Sequence, residues 1–308
     1  MTARTVTVLA AALTGVACGS SPSPGAGATV AVTRAIPYTA TAELDVYRPE
    51  GSTGAPVVVT LHGCCGSRED LAPLARGLAE NGAVVFNASW RGTDGEGAGY
   101  PGAYQDAACA VRFARATAPA HGGDPGRVTL VGWSDGALAA GVVANAAPDF
   151  DDGCLADGAG VLPDSFVALG GFLGWAAAGD GRVDAQFVNE RTVRYFGGTP
   201  QDEPAAWAAG NPYTHLGRNP GLEIRLVVGR EDPLLIDGQC FSRAARAAGH
   251  PVSLSVAEGA GHQTVLAPRT SEGALAVREI LEAARGEAAP AADPAVIAAA
   301  CPGSGDPG

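Results

Sequence analysis

The stretch "RVTLVGWSDGALAAGVVANAA" (residues 127–147) changes character at its middle. "RVTLV" is a short, branched, apolar run of the kind that forms a buried strand, and "ALAAGVVANAA" reads as a helix. Between them stands one serine, Ser134, with Gly132 two residues before it and Gly136 two residues after. A serine that merely caps a helix would need neither glycine. A sharp strand-to-helix turn that presents a hydroxyl needs both, because small residues at those positions let strand and helix approach closely.

Outward from this turn the chain alternates. "PVVVTLHG" reads as a strand and "SREDLAPLARGLAENG" as a helix, with Ser67 as N-cap, Glu69 and Asp70 in the first turn and Gly82 closing it. The strand "AVVFNASW" and the helix "AYQDAACAVRFARATAPAHG" follow, leading into "RVTLVG". Beyond the turn, "DSFVALGGFLG", "EIRLVVG" and "VSLSVAEG" read as strands, while "DGQCFSRAARAAG" and "SEGALAVREILEAARG" read as the last helices. Two further strands, "ATVAVTR" and "ATAELDVYRPEG", precede the alternation. Such a pattern predicts an α/β fold with a mostly parallel sheet covered on both faces. Residues 148–220 are irregular and rich in aromatics, and they read as an insertion over the C-terminal edge of the sheet.

A serine hydroxyl is a weak nucleophile. It needs a base, an acid to orient that base, and backbone N–H groups aimed at the developing oxyanion. In chain order the acid should come next and the histidine last. "IRLVVGREDPLL" delivers Glu231 and Asp232 just past a strand, and "VSLSVAEGAGHQTV" delivers His262 on a glycine-rich loop. Asp232 is the expected acid, with Glu231 as alternative and Asp237 a distant third. Of the five histidines, His121, His215 and His250 sit in turns or in the insertion, where a packed or surface role is the ordinary reading. His62 belongs to "TLHGCCGS", a loop placed to supply the oxyanion side. Cys64 N–H and Asp135 N–H are the expected donors.

Composition narrows the function classes. The chain has 308 residues, 46% hydrophobic and 17% charged, enough for a large core. Its net charge of −12 argues against a nucleic-acid partner, which would need a clustered basic surface. All 20 basic residues are arginine, which excludes Schiff-base chemistry, a Walker lysine and a Ser-Lys dyad. No Cys-x-x-Cys or His-x-x-x-His spacing supports a zinc site, and no metal or organic cofactor is implied.

Residues 1–27 read as an export leader and tether, with Arg4 ahead of a short apolar run and small residues around Ala17. Cys18 resembles a lipoprotein acceptor cysteine, which would anchor the chain to a membrane. Gly15 stands where leucine is usual, so cleavage and secretion without lipidation stay open. The six remaining cysteines, Cys64, Cys65, Cys109, Cys154, Cys240 and Cys301, allow up to three disulfides in an oxidising compartment. A bridge between the neighbours Cys64 and Cys65 would need a strained peptide, so each is expected to pair elsewhere or remain a thiol. Residues 28–285 form the expected catalytic domain, and the low-complexity tail 286–308 is held, if at all, through Cys301.

From the elbow outward, residues 56–285 resemble the α/β-hydrolase esterases, in particular the hormone-sensitive-lipase-like and feruloyl/acetyl-xylan-esterase-like carboxylesterases. "YQDAACAVRFARATAPAHGGDPGRVTLVGWSDG" is similar to their segment leading to the nucleophile, and "YFGGTPQDEPAAWAAGNPYTHL" to the one before their acid-bearing strand. The resemblance implies an α/β-hydrolase fold and a carboxylesterase with Ser134 as nucleophile, Asp232 and His262 completing a triad, and Cys64 and Asp135 lending N–H groups. Asp106 matches a recurrent acidic position taken as structural. Two departures stand out. The family's His-Gly-Gly-Gly is here His62-Gly63-Cys64-Cys65, and Asp135 follows the nucleophile where alanine is usual. A carboxylate there would oppose an oxyanion, so its side chain must turn away or be hydrogen-bonded. The rival readings are a prolyl-oligopeptidase-like peptidase and a catalytically silent binding lipoprotein on the same fold. The expected partner is a small or polymeric ester. Trp90, Tyr100, Trp133 and Trp175 are candidates to line or approach its pocket, though aromatics near a sheet edge are more often core.

Overall fold

The computed structural model describes residues 28–92, 99–154, 160–174, 188–290 and 301. The expected leader with Cys18, the pocket candidate Trp175, and most of the expected tail lie outside the described residues.

Eight strands form one sheet: β1 (Val30–Pro37), β2 (Glu43–Pro49), β3 (Ala55–Leu61), β4 (Val84–Ala88), β5 (Gly123–Trp133), β6 (Ser165–Leu169), β7 (Glu223–Gly229) and β8 (Val252–Ala257). Their spatial order is β1-β2-β4-β3-β5-β6-β7-β8. β1 and β2 run antiparallel at one edge, and every pair from β4 onward is parallel. The mostly parallel sheet expected from the alternation is therefore present, and the loops after β3, β5, β6, β7 and β8 emerge at one edge, where α/β folds bind ligands.

Period-two alternation divides the core between two faces. Val57, Val59, Leu61, Phe86, Leu130, Phe166 and Leu226 point to one face, where they meet α2 (Gly102–Thr117), α3 (Asp135–Ala146) and α7 (Leu235–Ala247). Val58, Val85, Val131, Val167 and Val227 point to the other, against α1 (Arg68–Glu80) and α8 (Ser271–Arg285). α3 is buried along its whole length, so its alanines and glycines are the residues that fit between sheet and neighbouring helices. α1 begins as expected: Ser67 is extended, its N–H donates to Asp70 Oδ2 at 3.0 Å, and Gly82 follows the last turn at φ +99°.

Polar residues also enter the second face, and several of them pair there. Thr60 donates to Asn87 at 2.7 Å, and Thr129 and Ser165 bond at 2.8 Å. Arg225, fully buried in β7, donates to Glu223, Glu279 and Glu282 at 2.7–3.0 Å.

Within residues 148–220 the chain is less uniform than an irregular insertion. β6 is a central strand paired with both β5 and β7. Among the described residues after it are three short helices, α4 (Glu190–Phe196), α5 (Pro204–Ala209) and α6 (Pro212–His215). Their aromatics turn inward: Phe196 lies on Trp207 with centroids 4.5 Å apart, and Tyr104 of α2 packs on Phe150 at 5.0 Å. Two hydrogen bonds close this cluster, from Tyr104 OH to Gly210 O and from Trp207 Nε1 to Gly198 O.

Two disulfides tie the outer segments down. Cys109–Cys154 links α2 to the segment after α3, and Cys240–Cys301 links α7 to the C-terminal tail. The third bridge that six cysteines would allow is not formed: Cys64 and Cys65 are thiols. No helix among the described residues is long and apolar enough to cross a membrane.

Candidate active site

Ser134 sits between the last residue of β5 and the first of α3 with φ 54° and ψ −123°. A residue with a Cβ adopts such angles only where its surroundings impose them. Here Ser134 N–H donates to Leu169 O at 3.1 Å, while Ser134 O accepts from Ala137 N and Phe172 N at 3.0 and 3.1 Å. The two glycines of the motif are required by contact. A Cβ on Gly132 would lie 2.3 Å from Gly136 O, and one on Gly136 would lie 2.4 Å from Leu61 O.

The structure brings the three sequence-selected residues together. His262 Nε2 lies 3.0 Å from Ser134 Oγ, and His262 Nδ1 lies 3.0 Å from Asp232 Oδ2. Asp232 follows β7 and its side chain is fully buried; its other oxygen accepts from Leu234 N at 2.9 Å. The Nδ1 contact with a carboxylate places the proton on Nδ1 and leaves Nε2 as an acceptor for the serine hydroxyl. Glu231, the alternative acid, is exposed. Asp237 does not bond the imidazole; burial, with a smaller push from Asp232, raises its carboxyl to about 6.

Two contacts that sequence reading missed hold this arrangement. Trp133 Nε1 donates to His262 O at 3.2 Å, and its ring lies 5.3 Å from the imidazole at 32°. Gly170 has φ +45°, and a Cβ there would stand 2.6 Å from Asp232 Oδ2 and 3.1 Å from His262 Nδ1. The "GG" after β6 was a visible signal of close approach, but nothing in the sequence said what approached it.

The "HGCC" loop lies directly on the elbow. A Cβ on Gly63 would touch Trp133 Cε3 at 2.9 Å and Ser134 Cβ at 3.0 Å. His62 is a strut: its Nδ1 bonds Gly63 O at 2.8 Å, and Trp90 Nε1 donates to His62 O at 3.1 Å. Burial lowers the His62 pKa, which suits a neutral structural imidazole. Cys64 follows Gly63 in this loop, and Asp135 starts α3 directly after Ser134.

The Asp135 carboxylate is paired with Arg191 of α4, which resolves the conflict its position posed. Asn189 fixes the start of that helix, accepting from Arg191 N at 3.1 Å. Sequence reading gave no signal for Arg191, because the pairing crosses 56 positions.

The other histidines are engaged elsewhere. His215 Nε2 bonds Ala209 O, His250 bonds Gly217 N and Leu222 O, and His121 packs on Phe86. Asp106 binds Arg91 through three hydrogen bonds of 2.8–3.0 Å, a structural role as expected. Among the described residues one grouping has metal-ligand types, Cys109, Asp152 and Cys154, and its two cysteines are consumed by their disulfide.

Comparison with known proteins agrees with this architecture. A thermophilic esterase from Thermogutta terrifontis, solved with butyrate bound, is 22% identical over 86% of this chain and 96% of its own, with a TM-score of 0.62. A truncated carbohydrate esterase from gut microbiota is 16% identical over 87% and 99%, with a TM-score of 0.65. Brefeldin A esterase, a bacterial homologue of human hormone-sensitive lipase, is 20% identical over 87% and 80%, with a TM-score of 0.67. These likenesses show the α/β-hydrolase fold. No curated protein matches the sequence. The BD-FAE family model matches residues 44–239, well over half of the chain. With its α/β-hydrolase sheet and an elbow at the C-terminal end of β5, the chain belongs to the BD-FAE family of esterases.

Proposed function

We propose that this esterase works through a covalent acyl-enzyme on Ser134, with His262 as general base and Asp232 as its orienting acid. The observation that carries this reading is the unbroken line from Asp232 Oδ2 through His262 to Ser134 Oγ, each gap 3.0 Å. Ser134 Oγ attacks the ester carbonyl while its proton passes to His262 Nε2. The carbonyl oxygen, now anionic, is held by Cys64 N–H and Asp135 N–H. His262 then gives the proton to the leaving alcohol oxygen as the C–O bond breaks. Water repeats the sequence on the acyl-enzyme and releases the acid. Asp232 stabilises the imidazolium formed in both halves, and the N-terminus of the buried α3 adds positive potential behind the elbow.

The acyl group is proposed to be short and its alcohol a carbohydrate. Support comes from the propionate- and butyrate-bound forms of the Thermogutta esterase and from the carbohydrate esterase among the neighbours. We also propose that the chain acts outside the cytoplasm, a reading supported by its leader-like start and two disulfides.

The test is hydrolysis of p-nitrophenyl acetate, butyrate and octanoate, and of acetylated and feruloylated sugars, by the purified protein and by Ser134→Ala. Activity on the short esters that disappears in the variant is expected. Equal rates in both proteins would remove Ser134 from the mechanism, and a preference for octanoate would overturn the acyl-size reading.

A further inference from the structure

Cys64 and Cys65 are adjacent in the loop that flanks Ser134, and they stand outside both disulfides. Their sulfurs are 3.4 Å apart, with the Cys65 thiol directed at Cys64 Sγ. Cys65 is exposed and Cys64 half-buried. The turn that brings the sulfurs together puts Cys65 at φ +57°, a conformation that glycine or asparagine adopts far more readily. The side chain held at this exposed position is a thiol in contact with a second thiol.

We propose that this pair is a reversible thiol–disulfide site: oxidation closes a bridge between Cys64 and Cys65 and turns the esterase down. The effect on turnover rests on the acyl-enzyme reading above; the bridge itself does not. The oxidant is a small exposed disulfide, such as oxidised glutathione. The Cys65 thiolate, the accessible one, attacks one sulfur of that disulfide, forming a mixed disulfide and expelling the first small thiolate. Cys64 Sγ, already in contact, then attacks the Cys65 sulfur as a thiolate and expels the second. Two protein thiols are oxidised, one small disulfide is reduced, and the two protons lost by the cysteines end on the two released thiols.

Geometry makes the bridge labile. Neighbouring Cα atoms are about 3.8 Å apart across a trans peptide, closer than the roughly 4.4–6.8 Å of ordinary disulfides. Cys109–Cys154 and Cys240–Cys301 span 6.1 and 5.5 Å, inside that range. Closing the eight-membered ring therefore twists the Cys64–Cys65 peptide, and strained bridges are readily reduced again. Closing the ring also resets the φ and χ1 of Cys64, and with them its alignment on the Gly63–Cys64 peptide, whose N–H is the oxyanion donor of the mechanism proposed above. Losing one such donor costs about 10²–10³ in turnover, so a fall of at least about tenfold is expected even from partial displacement.

The experiment treats the full protein with oxidised glutathione, alkylates it without reduction, and reads the Cys64–Cys65 peptide by mass spectrometry beside p-nitrophenyl acetate turnover. The expected result is a peptide lighter by two hydrogens that takes up no alkylating agent, with turnover lost and then restored by a small thiol. Cys65→Ser is expected to keep its turnover through the same treatment. Two alkylated cysteines after oxidant, or stable glutathione adducts in place of the bridge, would overturn the site. A bridge that forms with turnover unchanged would overturn the switch. A bridge that forms in a protein with no Ser134-dependent activity would instead sink the acyl-enzyme reading and leave the thiol site standing.

Discussion

Replacing Arg191 by methionine should slow ester hydrolysis about 100-fold, and adding Asp135→Asn should restore it. The reasoning starts from Asp135, whose backbone N–H is proposed to hold the oxyanion while its side chain, 11% exposed, carries a negative charge. An aspartate cannot move its carboxylate far from its own N–H, so carboxylate and oxyanion stand within about 6 Å of each other. Two like charges at that separation repel by about 3 kcal/mol at an effective dielectric near 20. Arg191 supplies the opposite charge at the same place. Removing it leaves that repulsion in the transition state but not in the free enzyme, and about 3 kcal/mol corresponds to roughly 100-fold in rate. The assay is steady-state hydrolysis of p-nitrophenyl acetate by wild type, Arg191→Met, Asp135→Asn and the double variant. Asp135→Asn alone should stay near wild type, and the double variant should return to within about threefold of it. The argument is refuted if the double variant is as slow as Arg191→Met, because the ion pair would then serve only to tie α4 down. It is equally refuted if Arg191→Met matches wild type.

Gly170→Ala should remove most activity while the protein stays folded, since the new Cβ meets Asp232 and His262 at a residue already at φ +45°; turnover and a thermal melt on the same sample separate the two effects. Asp237 gives a pH signature. Its folded pKa of about 6 exceeds the ordinary 3.8, so the folded state binds its proton more tightly, and stability falls as pH rises from about 4 to about 6. Asp237→Asn should therefore stabilise the protein at pH 8 by about 1–3 kcal/mol and much less at pH 4, read from urea denaturation at both pH values. Arg225→Leu should destabilise the fold by about 3–5 kcal/mol, because it takes the buried cation away from Glu223, Glu279 and Glu282 and leaves buried Glu279 only the exposed Arg278. Denaturation of this variant with a loss under about 1 kcal/mol would contradict that account.

Much of the fold could be read from local patterns. The β-to-α switches around "PVVVTLHG", "AVVFNASW" and "RVTLVGWSDG" correspond to β3, β4 and β5 with their helices, because short continuous apolar runs and helical spacing are written into neighbouring residues. The triad candidates were legible for a related reason. Each sits just past a strand end, and a parallel sheet gathers those ends at one edge. Residues 148–220 were harder to read. Short helices such as α5 and α6 carry little periodicity, and β6 within the same span owes its central place to β5 and β7 on either side.

By itself, the sequence determined the alternating architecture, the elbow at Ser134, His262 as the histidine to expect beside it, and Asp232 as the first choice of acid ahead of Glu231 and Asp237. Only the tertiary structure decided which cysteines join, that Gly170 makes room under the acid, and that Arg191 neutralises Asp135. Strand, helix and turn preferences act over a few residues and are legible along the chain. A disulfide, a steric clearance and an ion pair depend on which distant segments pack together, here across 45 to 92 positions.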